Sequence, residues 1–236
     1  ANRLLSTRVS AIATSLPGVL DRDPALAGKA TATGPPMRPA ILAAAAVPYA
    51  SPDPTGPLRL LVVGGSQGAR IMADIVPPAI EKLEPALWRR LSLVQQVREE
   101  DMSRVRAVYD RLKIEAELAP FFADLPARLA ATHLVVSRSG AGTVAELGAI
   151  GRPSILVPLP GAIDQDQFAN AGVLEKVGGA IRIPQNEFTP DRLASEISAL
   201  AADPARLTTT ATSARSVGRL DAAERLADLA VKVAGI

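Results

Sequence analysis

From residue 58 almost to the C-terminus, the apolar positions fall into short unbroken runs separated by stretches of helical period. The runs are Leu58-Arg-Leu-Leu-Val-Val63, Leu91 to Val97, Ile114 to Leu118, His133-Leu-Val-Val-Ser137, Ser154-Ile-Leu-Val157 and Ala180-Ile-Arg-Ile183. Such runs, bounded by turn residues, predict strands buried on both faces. Between them the pattern predicts helices from Ile71, over about Glu100 to Lys113, Asp124 to Ala131, Thr143 to Ile150 and Asp166 to Val177. Gly151 ahead of Pro153 stops the fourth of these, Thr189 caps a further helix reaching Ala202, and residues 204 to 235 make two alanine-rich helices. Pro77 and Pro78 are expected to break or kink the helix after Ile71. Strands alternating with helices in this way predict an α/β fold, a Rossmann-like, doubly wound, open parallel sheet.

The first 57 residues differ in character. Ala1 to Ser15 has an amphipathic helical pattern, although Ser10-Ala-Ile-Ala-Thr14 also reads as a short strand. Leu16 to Ala30, with Pro17, Gly18 and Pro24, reads as loop. Thr33-Gly-Pro-Pro-Met-Arg-Pro39 is stiffened by its prolines and presents Arg38 in a fixed direction. Tyr49 to Pro57 reads as a linker. Composition therefore divides the chain into residues 1–35, a linker over 36–57, and a domain over 58–236. The chain opens on Ala1 rather than Met, inside the helical pattern, and an N-terminal segment is expected to have been lost.

Composition narrows the function classes. The 236 residues are 48% hydrophobic, enough for one large or two small domains with an ample core. Lys and Arg number 26 against 24 acidic residues, a formal net charge of +2. Despite a pI near 9.2, no dense basic block with interleaved aromatics points to nucleic acid. With no cysteine there is neither a disulfide framework nor a Cys-ligated zinc, and with one histidine, His133, no multi-histidine metal site. No cofactor is called for. Ile41 to Val47, the longest apolar stretch near the N-terminus, is mostly alanine and far too short to span a bilayer, and no signal peptide is evident. A cytoplasmic location is expected.

The candidate chemistry lies where strands give way to helices. Ser137-Arg-Ser-Gly-Ala-Gly-Thr143 follows one strand, and Gly64-Gly-Ser-Gln-Gly-Ala-Arg70 follows another. The first N–H groups of a helix lack internal partners and sit at the positive end of its dipole. Small residues such as Ser139, Gly140, Ala141 and Gly142 let an anion approach them, with the Thr143 hydroxyl as a further donor. One turn on, Glu146 is in reach of ribose hydroxyls. The plainer reading, that these glycines only let helix and strand pack, carries equal weight for either loop alone. Neither loop is a Walker A sequence, and Gly64 to Gly68 does not match the dinucleotide-binding spacing. Phe121 and Phe122, past the third strand, either flank a planar base or plug the core, and local sequence favours the plug. Both glycine loops, the Phe121-Phe122 loop and the 158–166 loop share one edge of the predicted sheet, outside the carboxyl ends of its strands, where such sheets bind ligands.

On these motifs the chain resembles the carboxyl-terminal half of the MurG family, the GT-B N-acetylglucosaminyltransferases that make lipid II, from roughly residue 1 to 235. Gly34-Pro-Pro-Met-Arg38 is similar to the family's Gly-Asn-Pro-Val-Arg. Gly64-Gly-Ser-Gln-Gly-Ala-Arg70 matches outright, as do Arg138-Ser-Gly-Ala-x-Thr-Val-x-Glu146 and Asp164-x-x-Gln167-x-x-Asn170. The resemblance implies UDP-N-acetylglucosamine as donor and lipid I as acceptor, with inversion at the sugar. Arg38, Ser66, Gln67, Gly68, Thr143 and the N–H groups near Gly142 would meet the diphosphate. Phe122, beside Phe121, would hold the uracil through its backbone, and Glu146 the ribose. Asp166, Gln167, Asn170 and the Ala141 N–H would face the sugar. Residues 1–35 would be the end of an acceptor domain, the rest of which, with the catalytic base and a face for the cytoplasmic side of the membrane, is not in this sequence. No catalytic residue is therefore named, and His133 reads as structural. Three departures stand out: Pro35 for Asn, Asp166 where His or Gln is usual, and Gln95-Gln-Val-Arg98 for His-Gln-Ser/Thr-Gly, which is expected to alter a support of the cleft. Two other readings remain. One is another UDP-sugar GT-B enzyme, a glycolipid glycosyltransferase or a UDP-N-acetylglucosamine epimerase; the other is a nucleotide-sugar-binding half that is inactive without a separate acceptor domain.

Overall fold

The structure, a computed structural model, describes residues 5–18, 20, 23–65, 68–161 and 166–235. In chain order its elements begin with β1 (Ile12–Thr14), α1 (Pro24–Ala27), β2 (Ala30–Ala32), α2 (Pro39–Ala45), β3 (Leu58–Val63), α3 (Arg70–Glu81), α4 (Pro85–Trp88), β4 (Leu91–Gln96), α5 (Glu99–Arg111) and β5 (Ala116–Ala119). They continue with α6 (Leu125–Ala131), β6 (Leu134–Ser137), α7 (Ala141–Ile150), β7 (Ser154–Leu156), α8 (Asp166–Lys176), β8 (Ala180–Arg182), α9 (Pro190–Ala201), α10 (Pro204–Ser216) and α11 (Ala222–Ala234). Six strands form one parallel sheet in the order β5-β4-β3-β6-β7-β8. The chain runs outward from β3 in one direction, returns beside β3 as β6, and runs outward in the other. This is the doubly wound arrangement expected from the alternating pattern, and its reversal point lies between β3 and β6.

The unbroken apolar strands are explained by two cores. Leu60 and Val62 of β3 enter one layer, with α3, α5 and α9, while Leu61 and Val63 enter the other, with α2, α6, α7 and α8. Side chains alternate across a strand, so a strand covered on both faces must be apolar at consecutive positions.

Several N-terminal expectations are corrected. Of the proposed Ala1–Ser15 helix, residues 1–4 lie outside the described part, and Ile12–Thr14 is strand, paired in parallel with Ala30–Ala32 in a separate two-stranded sheet. The stretch read as loop, Leu16 to Ala30, contains α1, with Pro24 in its first turn and the Asp23 side chain accepting from the Ala25 N–H. Within the 36–57 segment, Pro39–Ala45 is helical and buries Ile41, Ala44 and Ala45 in the second core. That helix is anchored by charge as well. Arg152, 1% exposed, donates to Leu129 O and Ala130 O of α6, Ile150 O and Gly151 O at the end of α7, and Val47 O just past α2. Arg215 adds bonds to Ala45 O and Ala149 O. Three helix C-termini, each with unpaired carbonyls and partial negative charge, thus converge on the buried Arg152 guanidinium, with the exposed Arg215 adding to two of them.

Pro77 and Pro78 do not break α3, which runs through both. A proline at 77 cannot donate to Ala73 O. Arg104 from α5 supplies that bond at 3.2 Å, and its guanidinium also meets Asp74 and Asp101. A neighbouring helix replaces what the proline removes.

Candidate functional site

Every strand of the large sheet points its carboxyl end to the same edge, and the loops there build the site. At the reversal point, β3 leads into the loop 64–69 and β6 into 138–140, so the two glycine segments stand side by side. Gly64 has no alternative: a Cβ there would lie 2.2 Å from the Ala69 nitrogen. Gly68 has φ +69 and would meet the Arg98 side chain. Ser66 and Gln67 lie outside the described residues. The N-caps of α3 and α7, Ala69 and Gly140, make no side-chain cap bond, and nothing lies within 4 Å of a Cβ built on Gly142. The first turn of α7 is open to an anion, with Ala141 and Gly142 exposed and Thr143 half-buried.

Glu146, one turn further on, is met by Arg38 at 3.2 Å. The resemblance placed these two on different parts of a ligand; in the structure they pair with each other. Arg38 caps the N-terminus of α2 by position only, without a side-chain bond to it, and α2 is fixed in the second core, so the direction of Arg38 is set by the helix it precedes.

The two phenylalanines separate. Phe122 is buried, with the Arg128 guanidinium 4.5 Å above its ring, and Arg128 is held by Glu117 and Asp124. Phe121 is 67% exposed at the sheet edge. Of the two rings, Phe121 is the one free to cover a base, and Phe122 offers only its backbone.

The β7–α8 side is braced from β6. Arg138, buried, donates to Val157 O and Pro158 O and to Gln185 Oε1, and burial lowers its pKa from the ordinary arginine value. Ser139 Oγ donates to Gln167 O at 2.8 Å, and Asn170 Nδ2 to Ser139 O at 3.2 Å. Gln167 Oε1 accepts from the Leu159 N–H. Asn170 and Gln167, expected to face a sugar, thus spend these groups on shaping the loop; Asp166, in the first turn of α8, is exposed. Residues 162–165 lie outside the described part.

Two residues of the Gln95-Gln-Val-Arg98 departure, expected to alter a support of the cleft, sit beneath this edge. Gln95 is fully buried, its Oε1 accepting from Tyr109 Oη at 2.5 Å. Gln96 Oε1 accepts from the Gly64 N–H at 2.9 Å, and its Nε2 donates to Pro120 O at 3.0 Å. The signal was two adjacent amides closing an otherwise apolar strand, visible as a departure at Gln95 but not as a contact. His133 lies at the opposite end of β6. Its Nδ1 accepts from the Arg59 N–H, and burial, with Arg59 and Arg152 nearby, lowers its pKa to about 4. It is a neutral structural group, as expected. Among the described residues no cluster of His, Cys, Asp or Glu could hold a metal ion, and no helix is long and apolar enough to cross a membrane.

Comparison with known proteins agrees with this fold. The pattern of the glycosyltransferase family 28 C-terminal domain matches residues 59–226. A protein of Bradyrhizobium diazoefficiens, named UDP-N-acetylglucosamine–N-acetylmuramyl-(pentapeptide) pyrophosphoryl-undecaprenol N-acetylglucosamine transferase, is 83% identical over 236 residues, all of this chain and 64% of that protein. A Rhodopseudomonas palustris protein of the same name is 80% identical, over all of this chain and 63% of its own length. Among solved structures, the crystal structure of Acinetobacter baumannii MurG superposes with a TM-score of 0.77 at 28% identity, covering 97% of this chain and 62% of that one. The chain therefore spans somewhat under two thirds of each of these relatives.

Proposed function

This chain belongs to the glycosyltransferase family 28 C-terminal domain family, and from that premise we propose that it is the donor-binding half of an inverting N-acetylglucosaminyltransferase. The whole enzyme takes N-acetylglucosamine from UDP-N-acetylglucosamine to lipid I, giving lipid II for peptidoglycan. The names of the relatives support donor and acceptor alike. The observation that carries the reading is the pair of glycine loops at the reversal point between β3 and β6, with an uncapped first turn of α7 and Glu146 one turn behind it.

In this reading the first N–H groups of α7 and the Thr143 hydroxyl meet the diphosphate, together with the 64–69 loop. The uracil lies at the Pro120–Phe122 loop, with Phe121 across its face. Glu146 accepts from the ribose hydroxyls, and Arg38, released from Glu146, turns to a phosphate. Asp166, exposed in the first turn of α8, takes the sugar contacts, while Gln167 and Asn170 hold the neighbouring loops in place. When the sugar–phosphate bond breaks, charge grows on the departing UDP, and fixed N–H dipoles aimed there stabilise it more than they stabilise the intact donor. The base that takes the acceptor proton belongs to the acceptor domain, of which residues 1–35 are the end and 36–57 the join. What supports that division is that β1 and β2 form a sheet of their own. A lipid-linked acceptor puts the enzyme at the cytoplasmic face of the membrane as a peripheral protein.

Thermal unfolding tests the reading: UDP raises the melting midpoint of this chain and GDP at the same concentration does not, since a ligand stabilises only what it binds. Equal shifts, or none, would count against a uridine site.

A further inference from the structure

We infer that Gln96 is a positioning residue that ties the phosphate-facing loop after β3 to the base-facing loop after β5, so that the two halves of a nucleotide site are set by one side chain. The inference rests on the donor-half reading above. Gln96 is the last residue of β4, and β4 lies between β3 and β5 in the sheet. From that middle strand its amide reaches both neighbours: Oε1 takes the Gly64 N–H at 2.9 Å and Nε2 gives to Pro120 O at 3.0 Å. The orientation of the amide is dictated by its partners, because Gly64 offers only a donor and Pro120 only an acceptor. The side chain is 6% exposed and Gly64 is buried beside it, so losing that bond leaves a buried backbone N–H unpaired; the bond to Pro120, an exposed residue, fixes the position of its carbonyl.

What these two contacts hold is specific. Gly64 begins the glycine loop and cannot carry a side chain, because the backbone of Gly68 and Ala69 folds back against it, and the bond from its N–H to Gln96 holds that close turn from the β4 side. Pro120 immediately precedes Phe121 and Phe122, and Phe122 is pinned on its far side by Arg128. The Pro120 carbonyl is the near-side anchor of that loop, and Gln96 holds it. Only a side chain with a donor and an acceptor on one short planar group does this: Glu keeps the acceptor and lacks the donor, and Met of similar length has neither. Gln96 touches no ligand itself; it fixes the separation between the loop that meets the diphosphate and the loop that meets the base.

The test is calorimetric titration of this chain, and of its Gln96→Glu and Gln96→Met variants, with UDP and with GDP, alongside a melting curve for each. Gln96→Glu, which still accepts from Gly64 but releases Pro120, is expected to weaken UDP binding at least tenfold and to bring the UDP-to-GDP preference close to one. Gln96→Met is expected to lose the preference as well and to weaken both nucleotides, since neither loop is then held. A melting midpoint that drops in step with affinity, while the UDP-to-GDP preference stays at the wild-type value, would show a merely structural role and overturn the inference. So would wild-type affinity and preference in both variants, or failure of both to fold. Should Gln96→Glu alone fail to fold, the uncharged Gln96→Met variant decides by the same preference. If neither the unaltered chain nor one extended with the rest of an acceptor domain binds UDP, the donor reading falls, and this inference with it; if either binds and the variants match it, the inference falls alone.

Discussion

Glu146 and Arg38 pair at 3.2 Å, while the proposed function gives them different parts of one ligand. The pair is partly exposed, with Arg38 at 69% of its side-chain surface, and such a pair contributes little to stability. Its removal therefore has its main effect on binding. Glu146→Ala is expected to weaken UDP binding by about 1–3 kcal/mol, because the ribose hydroxyls lose a charged acceptor; unchanged affinity would take Glu146 out of the site. His133 makes a prediction of another kind. Its folded pKa of about 4 lies below the ordinary value near 6.5, so the folded state favours the neutral ring. The stability this contributes is complete above about pH 6.5 and is lost as pH falls toward 4. By pH 5 the loss is on the order of 1–2 kcal/mol. Urea midpoints at pH 7.5 and pH 5 should show it, and a His133→Gln variant should flatten that dependence. At this scale the sequence was partly legible. The spacing from Gly140 to Glu146 marks one helical turn past an open N-terminus, which needs no tertiary knowledge. Which phenylalanine is buried depends on Arg128 arriving from α6, and what Asn170 bonds depends on Ser139 across a loop; neither partner is near in sequence.

Among the elements, the central strands were readable because burial on both faces forces consecutive apolar residues, as in Leu60 to Val63; the edge strand β5, read as a buried run over Ile114 to Leu118, is Ala116–Ala119 and exposes Glu117, because no strand covers its outer side. The helix ends were readable where local chemistry sets them: Thr189 caps α9 by accepting from the Arg192 N–H, and Gly151 ends α7 at φ +70. What escaped has a common cause. Pro39–Ala45 is too rich in alanine to show a polar face, and α3 runs on across Pro77 and Pro78 with Arg104 of α5 supplying the bond to Ala73 O that Pro77 cannot make. Arg152 is the element-scale counterpart, holding the ends of α6 and α7 and the chain just past α2. Burial lowers its pKa to about 10, still charged at neutral pH, and Met in its place would leave five carbonyl contacts unanswered. Arg152→Met is expected to cost roughly 2–4 kcal/mol in chemical unfolding. A change under about 0.5 kcal/mol would mean that water replaces the guanidinium at those helix ends.

For the molecule as a whole, function follows from where the sheet reverses. Parallel strands bring every β-to-α loop to one edge, and the return of β6 beside β3 parts the flanking helices there. The sequence announced this through two glycine loops placed after two apolar runs, while the pairing of those particular strands became visible only in the fold. The same arrangement is what the proposed donor half would use to hold a nucleotide sugar. The decisive measurement is calorimetric titration of this chain with UDP-N-acetylglucosamine, with UDP-glucose and GDP as controls and no added metal. Saturable binding that prefers the N-acetylated uridine donor is the expected result. Saturable binding of GDP with equal affinity, or no binding of any uridine nucleotide by this chain or by one extended with the rest of an acceptor domain, would contradict it.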